Sequence, residues 1–148
     1  MEISSTDIEL IIRLGAATIL GGLIGFEREL HGKVAGFRTY SLVALGSALM
    51  MLVSIEIFKI YQGVVSVDPG RIAAQVVAGI GFIGAGTIIR SGTSIKGLTT
   101  AAGLWTASGI GLACGLGYFR AALIATMITL LVLVVFSWVG RQIGARDV

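Results

Sequence analysis

The sequence predicts an all-α protein, a bundle of about five transmembrane helices, from three observations. The 148 residues contain five apolar stretches, at about 8–26, 39–57, 72–89, 98–116 and 121–139. A helix of ~20 apolar residues, at about 1.5 Å per residue, crosses the ~30 Å hydrocarbon core of a bilayer. The chain is 55% hydrophobic and 13% charged, whereas a soluble domain carries about 25% charged residues. Because the connections are short, we expect one transmembrane domain over residues 1–148 and no separate soluble unit.

The basic residues predict the orientation of the bundle. If successive spans alternate in direction, two groups form on opposite sides: Arg28, Lys33, Arg38, Arg90, Lys96, Arg141 and Arg146 on one, and Lys59, Arg71 and Arg120 on the other. The positive-inside rule places the larger group in the cytoplasm. We therefore expect the N-terminus outside and the C-terminus in the cytoplasm.

The first span includes a charged residue, Arg13. A helix that began after it would be only about 20 Å long, so the span must include the residues before it. Arg13 then lies one to two turns below the outer surface, with Glu9 one turn away on the same face. Two alternatives remain, a side chain that extends outward to the interface and one that faces the bundle interior. The stretch lacks a basic n-region, so we expect a retained span and not a signal peptide.

The connection between the first two spans is the densest polar stretch of the chain. Glu27, Arg28 and Glu29 are consecutive, and since successive helical residues lie about 100° apart, at least one must turn towards the bundle. Arg38 begins the second helix at a similar depth, which makes an ion pair with Glu27 plausible. Such charges either fasten two helix ends together, or line a polar vestibule or bind a partner. His31 has no companion ligand at useful spacing, so we expect an exposed loop histidine and no metal site.

The third span opens after a helix-start signal. Asp68 is suited to capping free amides, and Pro69 to the first helical position. Arg71, Gln75 and Gly79 then share one face of the helix. An amide such as that of Gln75 needs a partner in an apolar zone, so it serves either helix association or a polar pathway.

Glycines dominate the third and fourth spans. Gly79, Gly81 and Gly84 match the dinucleotide-binding fingerprint, but that motif requires a preceding strand and a βαβ unit, so we reject the match. Closely spaced glycines instead favour close helix packing, or a helix break of the kind found at transporter sites. The residues expected to pack helices are Gly21, Gly25, Gly79, Gly81, Gly84, Gly86, Gly103, Ala107, Gly111 and Gly115.

Three further expectations follow from the spans. The fifth is bulky and apolar on all sides, as expected of a helix that faces lipid, and Trp138 lies where an interfacial aromatic would. The small-residue faces exceed what one internal contact needs, which favours a homodimer. The single Cys114 excludes an internal disulfide and is interpreted as a small apolar packing residue.

No catalytic constellation is evident. The sequence shows no Ser/His/Asp set, no zinc-type histidine pair and no phosphate-binding loop, so we expect no enzymatic activity and no cofactor.

Four segments together, at 21–29, 35–49, 68–89 and 97–117, resemble the MgtC/SapB family of bacterial membrane proteins. The resemblance implies an inner-membrane protein with an outside N-terminus, linked to adaptation to low magnesium and, in pathogens, to survival inside phagocytes. It also implies action as a transporter, or as a regulator of other membrane proteins such as the F-type ATP synthase or magnesium-uptake systems. Its motif positions, with Gln75 added from the residues themselves, give the candidate functional set: Glu27, Arg28, Arg38, Thr39, Asp68, Arg71, Gln75, Thr99, Thr100 and Trp105.

Two functions remain open. A regulator would dock its glycine faces and charged rim onto itself or another membrane complex, within the lipid bilayer and without nucleic acid. A transporter would carry Mg²⁺ or another small ion. Mg²⁺ is usually held by carboxylates, and none lies at mid-membrane depth, which favours the regulator. MgtC-like members often add a cytoplasmic domain after the last span, so the shorter SapB-like form is the expected counterpart.

Overall fold

The computed structural model describes residues 4–142 and confirms the predicted all-α bundle. A two-stranded antiparallel hairpin, which the sequence did not predict, joins the third and fourth helices. The elements in chain order are α1 (Ser5–Leu30), α2 (Phe37–Tyr61), α3 (Arg71–Gly86), β1 (Ile89–Ser91), β2 (Ser94–Lys96), α4 (Leu98–Leu116) and α5 (Phe119–Gln142).

Three of the described helices are long and apolar enough to cross a membrane, namely Thr6–Leu30, Phe37–Tyr61 and Phe119–Gly140. The other two are shorter or less apolar. α3 has 16 residues and is therefore about 24 Å long. α4 has 19 residues, many of them Gly or Thr, and it packs among its neighbours.

The third predicted span ends earlier than expected. It was placed at 72–89, whereas α3 ends at Gly86 and Ile89 already belongs to β1. The reason is local, because both the hydroxyl and the backbone N–H of Thr87 donate to the Gly84 carbonyl, at 2.7 and 3.0 Å, and close the last turn. The hairpin then turns at Gly92, whose φ of +63° suits glycine.

The helix starts are stabilised in different ways. α1 begins with a capping box between Ser4 and Asp7. At α3 the expectation is partly wrong, since Gly70 is the N-cap residue and Pro69 lies before the helix. The Asp68 carboxylate instead accepts a hydrogen bond from the Gly70 N–H at 2.8 Å. α2 has no cap of its own, and Glu29 of α1 accepts a hydrogen bond from the Phe37 N–H at 2.8 Å.

The core lies where α2 is held between α1 and α4. The α1 glycines contact α2 so closely that a Cβ built on Gly21 would lie 2.7 Å from the Tyr40 carbonyl oxygen. On the other side, a Cβ built on Gly111 would lie 2.2 Å from the Ala44 carbonyl oxygen. A Cβ built on Gly115 would lie 2.5 Å from the Ala48 carbonyl oxygen. Such contacts need glycine because backbone meets backbone.

The remaining helices lie at the periphery. Among the described side chains of α5 only Ala122, Thr126 and Leu133 are buried, in keeping with a helix that faces lipid. α3 buries only Ile80 and Gly84. The structure therefore combines a tightly closed α1–α2–α4 core with a weakly packed α3.

Arg13 turns towards the bundle. Its Nη1 donates to the Gly115 carbonyl oxygen at 2.7 Å, and its Nη2 pairs with the Glu9 carboxylate. The guanidinium thus caps the end of α4, where the helix dipole favours a positive charge. The structure thus combines the two alternatives for Arg13, because the part-buried side chain contacts α4 and also extends to the exposed Glu9.

Candidate functional site

A buried charge cluster closes the end of α1. Glu27 and Arg28 are only 8% and 4% exposed, which confirms that a charge at this helix end turns inward. Arg28 Nη1 lies 3.5 Å from Glu27 Oε2, and His31 Nδ1 lies 3.0 Å from Glu27 Oε1. Within the described chain, Glu27 Oε2 and Arg28 Nε have no hydrogen-bond partner. The pair is thus incompletely satisfied, which is unusual for buried charges.

The ion pair expected between Glu27 and Arg38 is not formed, because Glu27 pairs with Arg28 and His31 instead. Arg38 is exposed on α2 and borders a groove, while Glu27 is buried and faces its own helix end. His31 is exposed, as expected, although its ring nitrogen also lies 2.9 Å from the Glu27 carbonyl oxygen. The cluster therefore forms within the last turns of α1 and the loop that follows.

A groove of about 970 Å³ runs between α2, α3 and α4. Its polar lining comes from Arg38, Thr39, Ser47 and Ser108. The Ser47 hydroxyl donates to the Ser108 hydroxyl at 3.0 Å, and both serines are buried. The groove thus combines a polar wall between α2 and α4 with the weakly packed, apolar α3.

The other predicted residues separate into two regions. Thr100 is buried, and its carbonyl oxygen accepts a hydrogen bond from the Tyr40 phenol at 3.3 Å. Thr99 is exposed beside it at the start of α4, and Trp105 is 56% exposed on the same helix. Asp68, Arg71 and Gln75 are exposed on and before α3. The start of α3 lies beside the end of α2, because the Ser54 hydroxyl donates to the Pro69 carbonyl oxygen at 2.6 Å.

The glycines also separate into two groups. Gly21, Gly25, Gly103, Gly111 and Gly115 make close contacts within this chain, and Gly84 lies at ordinary contact distance from Ala101. Built Cβ atoms on Gly79, Gly81 and Gly86 meet nothing within 4 Å. A packing role for these three glycines remains a prediction.

The described residues include no group of three or more His, Cys, Asp or Glu side chains able to hold a metal ion. Among the residues whose burial is described, the buried charged side chains are Glu27 and Arg28 at the end of α1. The core cluster of the bundle consists mainly of small and apolar side chains. These features define a multi-pass helical membrane protein with a polar, charged end.

The model of the MgtC family matches residues 14–142. The chain therefore belongs to the MgtC family, and it is a multi-pass protein of the bacterial inner membrane.

Relatives agree with this assignment. The chain is 49% identical over 130 residues to a protein of Escherichia coli (strain K12) named "Putative magnesium transporter YhiD", an alignment that covers 86% of this chain and 60% of YhiD. It is 41% identical over 143 residues to Protein SapB of Bacillus subtilis (strain 168), covering 93% and 61% of the two chains. It is 48% identical over 139 residues to Protein MgtC of Salmonella typhi, covering 93% and 57%. No solved structure matches the chain.

The chain spans about 60% of the length of these relatives. The alignments cover SapB to 61% and MgtC to 57% of their lengths, and the comparison with a shorter SapB-like form stays a prediction.

Sequence reasoning missed several residues at these sites. Lys33 and Lys96 line one pocket together with Arg28. The sequence feature that could have indicated this pocket is that all three are basic residues on the predicted cytoplasmic side. Glu29, which caps α2, was noted only as one of three charges. The Ser47–Ser108 pair carried no signal, because isolated serines in apolar helices do not reveal their partners.

Proposed function

We propose that this chain is a non-enzymatic regulator of membrane ion homeostasis, linked to magnesium limitation and to survival inside host cells, that acts through partner membrane proteins. Membership of the MgtC family and the magnesium-related name of the relative YhiD support the link to magnesium.

The closed α1–α2–α4 core carries the proposal. The contacts of Gly21, Gly25, Gly111 and Gly115 with α2 involve backbone atoms on both sides, so no space for a hydrated ion remains between these helices. Mg²⁺ dehydrates reluctantly and is usually bound through carboxylates. Glu27 is the one buried carboxylate among the described residues, and it is paired at the end of α1. These features favour a role other than conduction through the core.

The exposed side of α3 supports action through partners. We define the α3 face as Ala74, Ala78, Gly81 and Ala85, which follow helical spacing and are all exposed. Small residues at this spacing allow close approach of another transmembrane helix. A second copy of this chain, or another membrane complex such as an ATP synthase or an ion-uptake system, is the proposed occupant.

Site-specific photocrosslinking in native membranes tests the role of the α3 face. A crosslinking residue at Ala78 should give a discrete crosslinked species, and one at Leu131, exposed on α5, serves as the matched control. Equal labelling at both positions would contradict a specific partner. The crosslinked species identifies a homodimer by its mass, and any other partner by mass spectrometry.

Ion flux into liposomes tests the alternative, a transporter for Mg²⁺ or another small ion. The groove lined by Arg38, Thr39, Ser47 and Ser108 favours this second function, as does the name of YhiD. We expect no flux of Mg²⁺, protons or monovalent ions above that of empty liposomes from folded, inserted protein. Flux that is abolished by Arg38→Ala and by Ser47→Ala, but not by Lys59→Gln, would establish transport through the groove and reject the regulator.

A further inference from the structure

A second, smaller pocket of about 230 Å³ lies where α1 ends and α4 begins. Arg28, Lys33 and Lys96 line it, together with Gly97, Thr99 and Thr100. Three separate segments thus place cationic side chains around one small space: the end of α1, the loop after it, and the hairpin before α4. Like charges converge in this way at a site that receives an anion.

Arg28 supplies a buried charge to this pocket. Its side chain is 5% exposed and its Nε has no hydrogen-bond partner within the described chain. Glu27, at 3.5 Å from Nη1, is the carboxylate that faces it, and His31 contacts the other oxygen of that carboxylate. The single negative charge of Glu27 therefore offsets only part of the positive charge of Arg28, Lys33 and Lys96. An anion in the pocket would balance the remaining charge.

The start of α4 adds backbone donors to the same pocket. Its N-cap residue is Gly97, with a φ of +92°, and no side chain caps the first turn. The first amides of a helix have no partner within the helix, and the positive end of its dipole favours an anion. Gly97 is required for this geometry, since a built Cβ would lie 1.9 Å from the Thr87 carbonyl oxygen.

From these three features we infer that the pocket binds a phosphate group. Its volume equals that of roughly eight waters at ~30 Å³ each, which suits one phosphate with a few attached atoms. The charge distribution predicts that this end of the bundle is cytoplasmic, where two sources exist: the headgroup of an anionic phospholipid and a free phosphate. Guanidinium, ammonium and helix-end amide groups recognise either through the same oxygens. This inference does not depend on the proposed function.

Two binding measurements on the purified full chain in neutral detergent distinguish the sources. The first is saturation binding of radiolabelled phosphatidylglycerol, with phosphatidylcholine as the reference lipid. The second is equilibrium dialysis with radiolabelled inorganic phosphate at constant ionic strength. We expect Lys33→Gln and Lys96→Gln each to weaken binding roughly fivefold, the effect of ~1 kcal/mol per basic residue at a membrane surface.

The matched control is Lys59→Gln. Lys59 is an exposed lysine at the opposite end of the bundle, beside Arg13 and Glu56, and its removal changes the net charge equally. Lys33 is half-buried and Lys96 exposed, so these variants test the site without the folding risk of replacing the buried Arg28. Circular dichroism verifies that each variant is folded.

Binding of phosphatidylglycerol that falls in the two pocket variants but not in Lys59→Gln supports the site with a lipid as its source. The same dependence for inorganic phosphate alone supports the site with a free anion as its source. The inference is overturned if phosphatidylglycerol binds no better than phosphatidylcholine and the protein retains no inorganic phosphate, or if Lys59→Gln weakens binding as much as the pocket variants do.

Discussion

Replacement of Gly111 by alanine tests whether backbone contact between α2 and α4 holds the core together. A Cβ at Gly111 would lie 2.2 Å from the Ala44 carbonyl oxygen and 2.8 Å from the Ser47 Cβ. Ordinary van der Waals contact begins at about 3.4 Å, so α2 must move away by about 1.2 Å. Backbone atoms form the obstacle, and no side-chain rotation relieves it.

The expected loss has two parts. Overpacking of a close-packed interior destabilises a protein by ~1–3 kcal/mol. A shift of about 1.2 Å also stretches the Ser47–Ser108 hydrogen bond from 3.0 Å beyond hydrogen-bonding distance. Hydrogen bonds between transmembrane helices contribute about 0.6 kcal/mol on average. The two parts sum to about 1.6–3.6 kcal/mol.

Gly109→Ala is the matched control. Gly109 lies on the same helix, is exposed, and has open space where its Cβ would be. Both variants gain the same helix propensity of about 1 kcal/mol from the replacement of glycine, so this gain cancels in their difference. The difference between the two variants therefore reports the clash alone.

Equilibrium unfolding in mixed micelles, titrated with sodium dodecyl sulfate, measures the free energies of unfolding. We expect Gly111→Ala to unfold with a free energy about 1.6–3.6 kcal/mol below that of Gly109→Ala. Equal stabilities, within about 0.5 kcal/mol, would refute the close α2–α4 contact.

Three further substitutions test contacts at the helix ends by the same unfolding measurement. Arg13→Gln removes a charged hydrogen bond to the end of α4 and should lower the unfolding free energy by about 1.5–3 kcal/mol, whereas the exposed Arg120→Gln should leave it unchanged. Glu29→Ala removes the acceptor that caps α2 and should cost about 1 kcal/mol, most of which Glu29→Gln restores. Gly97→Ala meets both a positive φ and a backbone clash, and should destabilise more than Gly92→Ala, which has the positive φ alone and should cost roughly 1–2 kcal/mol.

Each of these comparisons has a contradicting outcome. A loss on Arg120→Gln as large as that on Arg13→Gln would indicate a general charge effect. If Glu29→Gln were as unstable as Glu29→Ala, the hydrogen bond to Phe37 would not be the stabilising contact. Equal losses on Gly97→Ala and Gly92→Ala would show that α3 and α4 are not held together at Thr87.

The helices could be predicted because hydropathy is a local property of the sequence. Each apolar stretch became a helix, and the third ended early only because Thr87 bonds to the carbonyl of Gly84. The strands of the hairpin are three residues each, too short for an alternating pattern. The closely spaced small residues of α4 indicated close packing, but spacing alone does not identify the partner helix, which is α2.

The candidate site could be predicted only in part. Three consecutive charges at a helix end required that one turn inward, and Glu27 and Arg28 did so. Their partners could not be predicted in the same way. Arg38 and Glu27 lie at a similar depth in the membrane, but the two side chains point in different directions from their helices. The basic pocket joins residues far apart in sequence, Lys33 and Lys96, and only the tertiary contact between α1 and α4 brings them together.

The buried Glu27–Arg28 pair and the basic pocket share Arg28, so a substitution in the pair should change anion binding in the pocket. Glu27→Gln leaves the Arg28 guanidinium buried without its carboxylate, and removal of one partner of a buried ion pair costs about 3–5 kcal/mol. The same change removes the negative charge beside the pocket, so it should tighten binding of inorganic phosphate or phosphatidylglycerol. A ligand that binds only the folded state stabilises that state. The anion should therefore increase the stability of Glu27→Gln more than that of the unsubstituted chain.

Thermal unfolding with and without the anion measures this difference. If the variant bound the anion more weakly, Glu27 would contribute to the anion site itself, and the view of Glu27 as a counter-charge that competes with the anion for Arg28 would be wrong.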